Sequence, residues 1–440
     1  MNFLRHPVWL WVEKHDKSKL PPVDPSLQTM FDAGHEFEQY AERLFDGGVR
    51  IEFGNYFDMT SRTSEAIAGG AKLIFQPRFE WQEYTFIADI IQFVGNRELD
   101  IYEIKSSTSV HKDHLYDLAF QSAVLARLGY KVRQVFVLHV NNQYVRQGDI
   151  EPEKFVAKVE VTNEVQELAG FTLEQMPKAV ATVRQKTMPD PSYESLGVLG
   201  RKSDWKPIYE NLFPLFSKVP ASGESIIDKA EIKQFLGEWQ YPLYFLDYET
   251  MSSLVPKFDG YRPYQQVPVQ YSLHILRSPD GELEHKEFLQ TENTDPARPL
   301  ATQLIRDLGD KGSIVTWNMS FEKSCNKLLG EICPDLAEQM QAINDRVVDL
   351  MTPFKSKWYD DPRFGGSASI KNVLPVLCPE LSYKSLSVQK GDQAQNLWME
   401  TVLGGKNSEI REQIFDDLRE YCALDTFAMV EIWRVLEWYN

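Results

Sequence analysis

The feature that most constrains the fold is a cluster of prolines near the middle of the sequence. Five of them lie within residues 187–241: Pro189, Pro191, Pro207, Pro214 and Pro220. Proline lacks a backbone donor and disfavours helical geometry in the residue before it, so a segment this rich in proline interrupts regular structure. A chain of 440 residues is long enough for two or three domains. We therefore predict an N-terminal domain over 1–186, a proline-rich helical linker over 187–241 and a C-terminal domain over 242–440.

Apolar periodicity on both sides of this segment predicts a mixture of helices and strands. In the N-terminal part the predicted elements are a helix over 25–45, strands over 71–81, 84–93 and 98–106, a helix over 112–128 and a strand over 132–140. In the C-terminal part they are a strand over 243–248, a hairpin over 268–276 and 283–289, a strand over 313–317 and a helix over 409–438. Strands mixed with helices in both parts predict an α/β protein with two domains.

Three charged residues in the N-terminal part are arranged as a metal site would require. Side chains alternate along a strand, so Glu103 and Lys105 point to the same face. Asp89 lies within an apolar run on the preceding strand, where a carboxylate without a partner is unfavourable. A hard divalent cation held by Asp89 and Glu103, with Lys105 close enough to stabilise charge or orient a water, would satisfy all three residues. This is the chemistry of a nuclease.

The arrangement resembles the PD-(D/E)XK nuclease superfamily, in which an acid on one strand and an E-x-K sequence on the next form the metal site. It is most similar to the RecB-like branch, which adds a histidine on an upstream helix and a glutamine on the downstream helix, here His35 and Gln121. The resemblance implies a restriction-endonuclease-like fold, Lys105 and Gln121 as catalytic residues and His35 as a metal ligand. Position 125 is Leu where the family commonly has Tyr. The first cysteine is Cys325, so we expect no iron–sulfur cluster of the kind bound by CRISPR-associated relatives.

Each of these residues also has an ordinary explanation. Glu103 and Lys105 could form a simple ion pair on one face of a strand, because E-x-K strings are common by chance. An isolated helical histidine such as His35 could be an ordinary surface or core residue. The agreement between residue type and predicted element at all of these positions favours the metal site.

The C-terminal part contains a second and longer series of acids. Asp247 and Glu249 fall two residues apart at the end of an apolar strand, where both point to one face and repel each other unless a cation is present. Glu322 follows another predicted strand and lies in the first turn of the next helix. Tyr421 and Asp425 are four residues apart in a predicted helix, which brings them to one side. The series predicts a second divalent-metal site.

This series resembles the DEDD 3′→5′ exonucleases of the RNase H-like superfamily, in the subgroup with Tyr before the last acid. The resemblance implies an RNase H-like mixed sheet, two metal ions held by four carboxylates and a tyrosine that helps to position the attacking water. The matching positions are Asp247, Glu249, Glu322, Asp425 and Tyr421. The third acid is normally Asp, and Asp349 competes with Glu322 for that place. The segment 243–435 also looks like a family of uncharacterised domains found behind RecB-like nucleases.

Charge and hydropathy limit the partners. Asp and Glu number 64 against 47 Lys and Arg, giving a net charge of −17, so nucleic acid would have to bind in a local basic groove. Lys371 is expected to be a solvated charge that could contact a phosphate. No segment approaches the ~18 apolar residues that span a bilayer, and the first 20 residues lack the apolar centre of a signal peptide. We therefore expect a cytoplasmic protein without a membrane partner.

Together these patterns predict a tandem nuclease that hydrolyses phosphodiester bonds of nucleic acid with Mg²⁺ or Mn²⁺. The RecB-like resemblance favours DNA over RNA. The alternative is a nucleic-acid-binding or assembly factor in which one or both sites are degenerate, a hypothesis motivated by Leu125 and Glu322. In a third version the N-terminal domain only clamps the substrate for the C-terminal exonuclease.

Overall fold

The chain forms two compact units, each built from helices and strands. The computed structural model describes residues 1–22, 25–214 and 223–438, with side chains from residue 31 onward in the second range. One unit comprises Met1–Lys218 with the short segment Leu254–Pro256, and the other comprises Val219–Ser253 with Lys257–Asn440. The segment predicted as a linker, 187–241, contributes one helix to the first unit and another to the second.

The elements of the first unit are interleaved along the chain. Its helices are α1 (Asn2–Arg5), α2 (Pro7–His15), α3 (Pro25–Glu42), α4 (Met59–Ala68), α5 (Lys112–Arg127), α6 (Pro152–Phe155), α7 (Thr162–Glu167), α8 (Ala169–Arg184) and α9 (Lys202–Leu212). Its strands are β1 (Val49–Arg50), β2 (Leu73–Phe75), β3 (Arg78–Trp81), β4 (Tyr84–Ile87), β5 (Ile90–Gly95), β6 (Glu98–Lys105), β7 (Lys131–Val140) and β8 (Val156–Glu160).

The main sheet of the first unit has the order β1-β2-β5-β6-β7-β8 and is covered on both faces. Strand β6 pairs antiparallel with β5 and parallel with β7, and α5 connects the two parallel strands. Alternation along β6 sends Tyr102 into one apolar core and Ile101 into another, where Leu118 of α5 packs. Burying each such side chain contributes about 1.5–3 kcal/mol. The face of β6 that meets α5 is also the face of Glu103 and Lys105.

Two strands predicted as continuous are each interrupted in the structure. The predicted strand 71–81 divides at Gln76 and Pro77, because Pro77 has no N–H for the ladder and Gln76 takes a left-handed φ of 54°. The predicted strand 84–93 divides at Ala88 and Asp89. Strands β3 and β4 consequently form a separate hairpin, and Asp89 lies in the break just before β5.

The second unit also alternates between helices and strands. Its helices are α10 (Lys229–Gly237), α11 (Ala297–Leu308), α12 (Met319–Ile332), α13 (Ala337–Asn344), α14 (Thr352–Lys355), α15 (Ile370–Leu377), α16 (Gly391–Trp398) and α17 (Arg411–Glu437). Its strands are β9 (Ile226–Ile227), β10 (Leu243–Met251), β11 (Val267–Leu276), β12 (Leu283–Leu289), β13 (Ser313–Thr316), β14 (Val347–Asp349) and β15 (Tyr359–Asp360).

A five-stranded mixed sheet with the order β12-β11-β10-β13-β14 organises the second unit. Strands β10, β11 and β12 are antiparallel, whereas β13 and β14 continue the sheet in parallel with β10. Gly312 permits this junction, because it has a φ of 87° and a Cβ there would lie 2.1 Å from the carbonyl oxygen of Pro242. Both faces of β10 are buried, with Leu246 in one core and Phe245 in the other. Strand β10 is therefore paired along both edges and packed on both faces.

The four cysteines all lie in the second unit, where each is buried and none forms a disulfide. Cys333 packs in the core that contains Leu246, and Cys378 packs in the core that contains Phe245. Across the described residues, no helix has both the length and the apolar character needed to cross a membrane.

Candidate metal centres

Strand β10 carries the first two acids of the second unit. Leu243 and Phe245 occupy one face of the strand and are buried, and the next two positions on that face are Asp247 and Glu249. The face thus changes from apolar to acidic towards the end of the strand. The β10–β11 register shifts immediately after Glu249.

The third acid, Glu322, lies in the first turn of α12, as the sequence predicts. Helix α12 follows β13, the parallel neighbour of β10. Glu322 is only 2% exposed, and its Oε2 atom has no hydrogen-bond partner among the described residues. Burial raises the pKa of Glu322 to about 8, with a contribution from Asp349. A buried carboxylate oxygen without a donor is unfavourable unless a ligand satisfies it.

The fourth acid and the predicted tyrosine both lie on α17. Asp425 follows Tyr421 by one helical turn, and both side chains are buried. Burial raises the pKa of Asp425 to about 6, although the hydroxyl groups of Tyr383 and Tyr421 and the charge of Lys371 act to lower it. The Oη of Tyr383 donates a hydrogen bond of 2.6 Å to Oδ1 of Asp425.

These acids meet in one cluster. Burial and the charges of Asp425, Glu249 and Glu322 raise the pKa of Asp247 well above its ordinary value. Ligand atoms of Asp247, Glu249 and Cys422 all lie within 4.8 Å of one another. The structure therefore brings together all four acids that the sequence analysis selected in this part of the chain.

Asp349, the competing candidate for the third acid, is engaged elsewhere. Its Oδ1 accepts hydrogen bonds from the backbone N–H of Asn318 at 3.1 Å and of Met351 at 3.0 Å. The charge of Asp349 raises the pKa of Glu322, whereas the charges that raise the pKa of Asp247 are those of Asp425, Glu249 and Glu322. The geometry therefore favours Glu322 over Asp349.

Three further residues border this cluster. Lys371, at the start of α15, places Nζ 3.4 Å from Oη of Tyr421 and lowers the pKa of Glu249. Tyr383 and Cys422 complete the set. Lys371 was predicted from the sequence only as a charge that could contact a phosphate, and Tyr383 and Cys422 were not selected. Lys371 and Tyr383 are distant from Asp425 in the sequence, and no spacing rule connects either of them to it.

The chemistry of this donor set fits divalent cations. Carboxylate oxygens are the preferred ligands of Mg²⁺ and Mn²⁺. The charges of the three other acids act unfavourably on ionised Asp247, and the buried Oε2 of Glu322 has no donor among the described residues. A cation would remove both penalties at once.

In the first unit the predicted E-x-K pair is joined directly. Nζ of Lys105 lies 2.7 Å from Oε1 of Glu103, and Nε2 of Gln121 donates a hydrogen bond of 2.9 Å to Oε2 of the same carboxylate. Burial and the charge of Asp89 raise the pKa of Glu103, and Lys105 and Gln121 counteract them. The buried Oε1 of Gln121 has no hydrogen-bond partner among the described residues, so it is available to a ligand.

Asp89 is oriented by the neighbouring strand. Its Oδ2 accepts a hydrogen bond of 2.6 Å from the backbone N–H of Ile104, and its Oδ1 lies 3.4 Å from Nε2 of Gln76. Burial raises the pKa of Asp89 to about 6, while the charge of Lys105 lowers it. The break between β4 and β5 thus directs this carboxylate towards the end of β6.

The remaining predicted residue, His35, lies at a cavity of about 220 Å³ beside this group. His35 of α3 lines it together with Asp89 and Lys105. His35 itself is exposed, as a ligand at the mouth of a cleft would be. The structure therefore brings together His35, Asp89, Glu103, Lys105 and Gln121.

Two acids at this site were not selected from the sequence. Glu38, one turn after His35, also lines the cavity and accepts a hydrogen bond of 2.5 Å from Gln76. Asp117, one turn before Gln121 on α5, lies 3.6 Å from Nζ of Lys105. Helical spacing from His35 and Gln121 is the signal that could have identified both.

The structure also accounts for the leucine at position 125, where the RecB-like branch commonly has tyrosine. Leu125 lies one turn after Gln121, and its side chain is fully buried in the core between α5 and the sheet. A tyrosine hydroxyl at this position would need a buried partner. Leu125 therefore contributes to the packing of α5 against the sheet.

A third group of potential ligands, His111, Asp113 and His114, lies at the start of α5 with ligand atoms within 4.8 Å of one another. Nδ1 of His114 accepts a hydrogen bond of 3.1 Å from the backbone N–H of His111. In neutral imidazole this bond leaves the proton on Nε2, which lies 3.8 Å from Oδ1 of Asp113. The group is therefore a helix cap whose buried ring lacks a free nitrogen for a metal.

Comparisons with known proteins give one family of unknown function and several uncharacterised relatives. Residues 244–369 match the family described as "Domain of unknown function (DUF2779)". The chain is similar to the uncharacterized protein MG366 of Mycoplasma genitalium, with 29% identity over 211 residues, and to its homolog in Mycoplasma pneumoniae, with 31% identity over 209 residues. Each match covers 43% of this chain and 31% of the relative.

A third relative is similar over more of the chain. The uncharacterized protein UU173 of Ureaplasma parvum is 22% identical over 366 residues, which cover 78% of this chain and 49% of the relative. The chain thus spans between about a third and a half of the length of these relatives. Their names assign no activity.

Proposed function

We propose that the second unit is a divalent-metal-dependent 3′→5′ exonuclease with an RNase H-like fold of the DEDD type. The observation that carries the proposal is the convergence of Asp247, Glu249, Glu322 and Asp425 from one strand and two helices into a single cluster. The mixed five-stranded sheet supports the fold assignment. Acids that repel one another in a buried site are expected where a cation normally binds.

The residues around the acids have separate tasks. The four carboxylates would hold Mg²⁺ or Mn²⁺, which when bound supplies charge neutralisation and Lewis acidity at the phosphodiester. Tyr383 holds the carboxylate of Asp425 in one orientation through its hydrogen bond. Tyr421 presents its hydroxyl beside the acids, where it can orient a water. Lys371 offers an ammonium group to a substrate phosphate.

We propose that the first unit is a RecB-like nuclease of the PD-(D/E)XK type. Asp89, Glu103 and His35 would hold the metal, and Lys105 would stabilise charge or orient water beside it. Gln121 keeps the carboxylate of Glu103 in place. The support is the contact between Lys105 and Glu103 next to a cavity that His35 and Asp89 line.

The proposed substrate is nucleic acid, and DNA is favoured through the RecB-like resemblance. The acidic net charge of −17 does not oppose this, because bound cations supply positive charge at the reacting phosphate. A cytoplasmic location fits the same proposal.

The test uses the full chain and end-labelled single strands of DNA and of RNA, with Mg²⁺ or Mn²⁺. Shortening from the 3′ end that is lost in Asp247→Ala supports the exonuclease, and internal cleavage lost in Lys105→Ala supports the first-unit nuclease. Glu338→Gln, which changes an exposed carboxylate on α13, is the matched control and should retain both activities. Absence of digestion, or digestion unaffected by either site variant, rejects the proposal.

A nucleic-acid-binding or assembly role is the second candidate, and it is favoured by the two departures at Leu125 and Glu322. Calorimetry with Mn²⁺ separates the candidates. Binding that disappears in Asp247→Ala or in Asp89→Ala supports a working metal site in the corresponding unit. If Mn²⁺ does not bind and the protein still retains single-stranded nucleic acid, the binding role is correct.

A further inference from the structure

A buried thiol faces the acid pair of the second unit. Cys422 follows Tyr421 on α17, and its side chain is fully buried. Its Sγ lies within 4.8 Å of the ligand oxygens of both Asp247 and Glu249, and 4.0 Å from the backbone oxygen of Asp247. A sulfur ligand is thus placed among ligands that are otherwise all oxygen.

A second observation indicates that this position receives a ligand. Glu322 is 2% exposed, and its Oε2 has no hydrogen-bond partner among the described residues. The charge of the same carboxylate raises the pKa of Asp247, one of the two acids beside Cys422. The site therefore offers an unsatisfied buried oxygen as well as a sulfur atom.

The hardness of these ligands divides the divalent cations into two classes. Mg²⁺ takes oxygen ligands and does not use a thiolate, so Cys422 would remain a neutral neighbour of that ion. Zn²⁺ and Co²⁺ accept carboxylate and thiolate together, and Zn²⁺ binds cysteine sulfur at about 2.3 Å. A small movement of the Cys422 side chain would allow its sulfur to bind the same cation as the carboxylates of Asp247 and Glu249.

We propose that Cys422 makes this centre a binding site for thiophilic divalent cations, with Asp247, Glu249 and Cys422 as ligands and Zn²⁺ as the representative ion. The inference rests on the proposed function of the second unit as a metal-binding site. On binding, the S–H bond breaks, the proton passes to solvent and a sulfur–metal bond forms without any change of oxidation state. Zn²⁺ held in this way competes with Mg²⁺ for the two carboxylates.

The experiment is a titration of the metal-free full chain with Co²⁺, followed in the near ultraviolet. Ligation by thiolate produces a sulfur-to-cobalt charge-transfer band that oxygen ligands cannot give. We expect the band in the natural protein, its displacement by Zn²⁺ and its loss in Cys422→Ala. We expect Cys422→Ala to weaken Zn²⁺ binding about tenfold or more while Mn²⁺ binding changes less.

Two controls locate the sulfur. Cys378→Ala removes a buried thiol in a different core of the same unit and should retain the band. Cys325→Ala should also retain it, and a band that follows Cys325 or Cys378 overturns the assignment. If Cys422→Ala fails to fold by circular dichroism, Cys422→Ser and Asp247→Asn replace it, and both should lose the band.

The outcomes separate this inference from the proposed function. If Mn²⁺ binds with dependence on Asp247 but no charge-transfer band forms, the thiophilic site is wrong and the metal site stands. If the band forms without any nuclease activity, the thiophilic site stands and the exonuclease proposal is wrong. If neither ion binds, both are wrong.

Discussion

The two acid clusters differ in the way their negative charge is compensated. In the first unit, Asp89 accepts a backbone hydrogen bond and Glu103 has both a lysine ammonium and a glutamine amide within hydrogen-bonding distance. In the second unit, the exposed ammonium of Lys371 acts on Glu249 and Asp425, and the hydroxyl of Tyr383 donates a hydrogen bond to Asp425. Donors of the protein itself therefore largely satisfy the first cluster, whereas burial and mutual repulsion raise the pKa values of acids in the second.

The same difference appears in the lysines themselves. Burial acts to lower the pKa of Lys105, yet the charges of Glu103, Asp117 and Asp89 raise it above its ordinary value. Lys105 is therefore part of a buried network whose loss would leave Glu103 charged and without a cation. Lys371 stands at the edge of its cluster, where a substrate phosphate could reach it.

The largest effect is expected from Asp247→Ala. Because this residue faces all three other acids, its loss should reduce 3′→5′ digestion by ~10³-fold or more. The measurement is the turnover of end-labelled single strands, with Glu338→Gln as control. The variant should also be more stable than the natural protein without metal, because one of the repelling charges is gone. A less stable metal-free variant would contradict the charge comparison.

Lys105→Ala should reduce internal cleavage by the first unit ~10²-fold, measured in an Asp247→Ala background so that the second site is silent. It should also lower the free energy of unfolding by roughly 3 kcal/mol, because Glu103 loses its cation. Lys131→Ala, which breaks the exposed pair with Glu98, is the matched control and should change stability by less than ~1 kcal/mol. In the clamp version, Lys105→Ala made with Asp247 intact would instead weaken substrate binding and leave 3′→5′ digestion at saturation unchanged.

Tyr383→Phe should weaken Mn²⁺ binding about tenfold, because Asp425 loses the hydrogen bond that orients it. Calorimetry on the metal-free protein measures the change. Tyr271→Phe removes a similar bond of 2.7 Å to Asp307, on the face of the sheet opposite to Asp247 and Glu249, and should leave Mn²⁺ affinity unchanged. Equal effects of the two substitutions would show that Tyr383 acts only on stability.

The smallest effect is a pH dependence of the melting temperature. Burial raises the pKa of Asp425 to about 6 and that of Glu322 to about 8, above their values in the unfolded chain. These two groups bind more protons in the folded protein than in the unfolded chain, so the stability they contribute without metal falls as pH rises from about 4 to about 8. His114 and His274, whose pKa values burial lowers to about 4, act in the opposite direction below about pH 6.5, so the net fall is expected above that pH. Thermal melts across this range check the slope.

Glu322→Gln removes the contribution of Glu322 to the upper part of this dependence. Asp89 of the first unit, whose pKa is also raised to about 6, contributes to the lower part of the range. The slope between pH 6 and pH 8 should therefore be smaller in Glu322→Gln and in the presence of Mn²⁺. A slope that Mn²⁺ leaves unchanged would mean that the cation does not bind at these acids.

Part of each site could be predicted because it depends on local geometry. A period of two places Glu103 and Lys105 together, and one helical turn separates Tyr421 from Asp425. The predicted strands and helices that carry them are present with small shifts at their ends. Asp117 follows the same local rule from Gln121 and could have been included.

Other parts could not be predicted, because they depend on contacts between distant segments. Tyr383 and Asp425 are 42 positions apart, and Ile104 and Asp89 are 15 apart. Whether Cys422 or another residue of α17 faces the sheet depends on how that helix packs against β10 and β11. The choice between Glu322 and Asp349 likewise required knowledge of which backbone amides Asp349 binds.

The sequence by itself determined which side chains share a face of β6 and of α17, because strand alternation and helical periodicity act over a few residues. Only the tertiary structure decided how the charges are compensated, because that depends on which donors and cations the packing of separate elements brings within about 4 Å. Lys105 meets its acids on its own strand and on the adjacent helix, whereas the four acids of the second unit meet mainly one another.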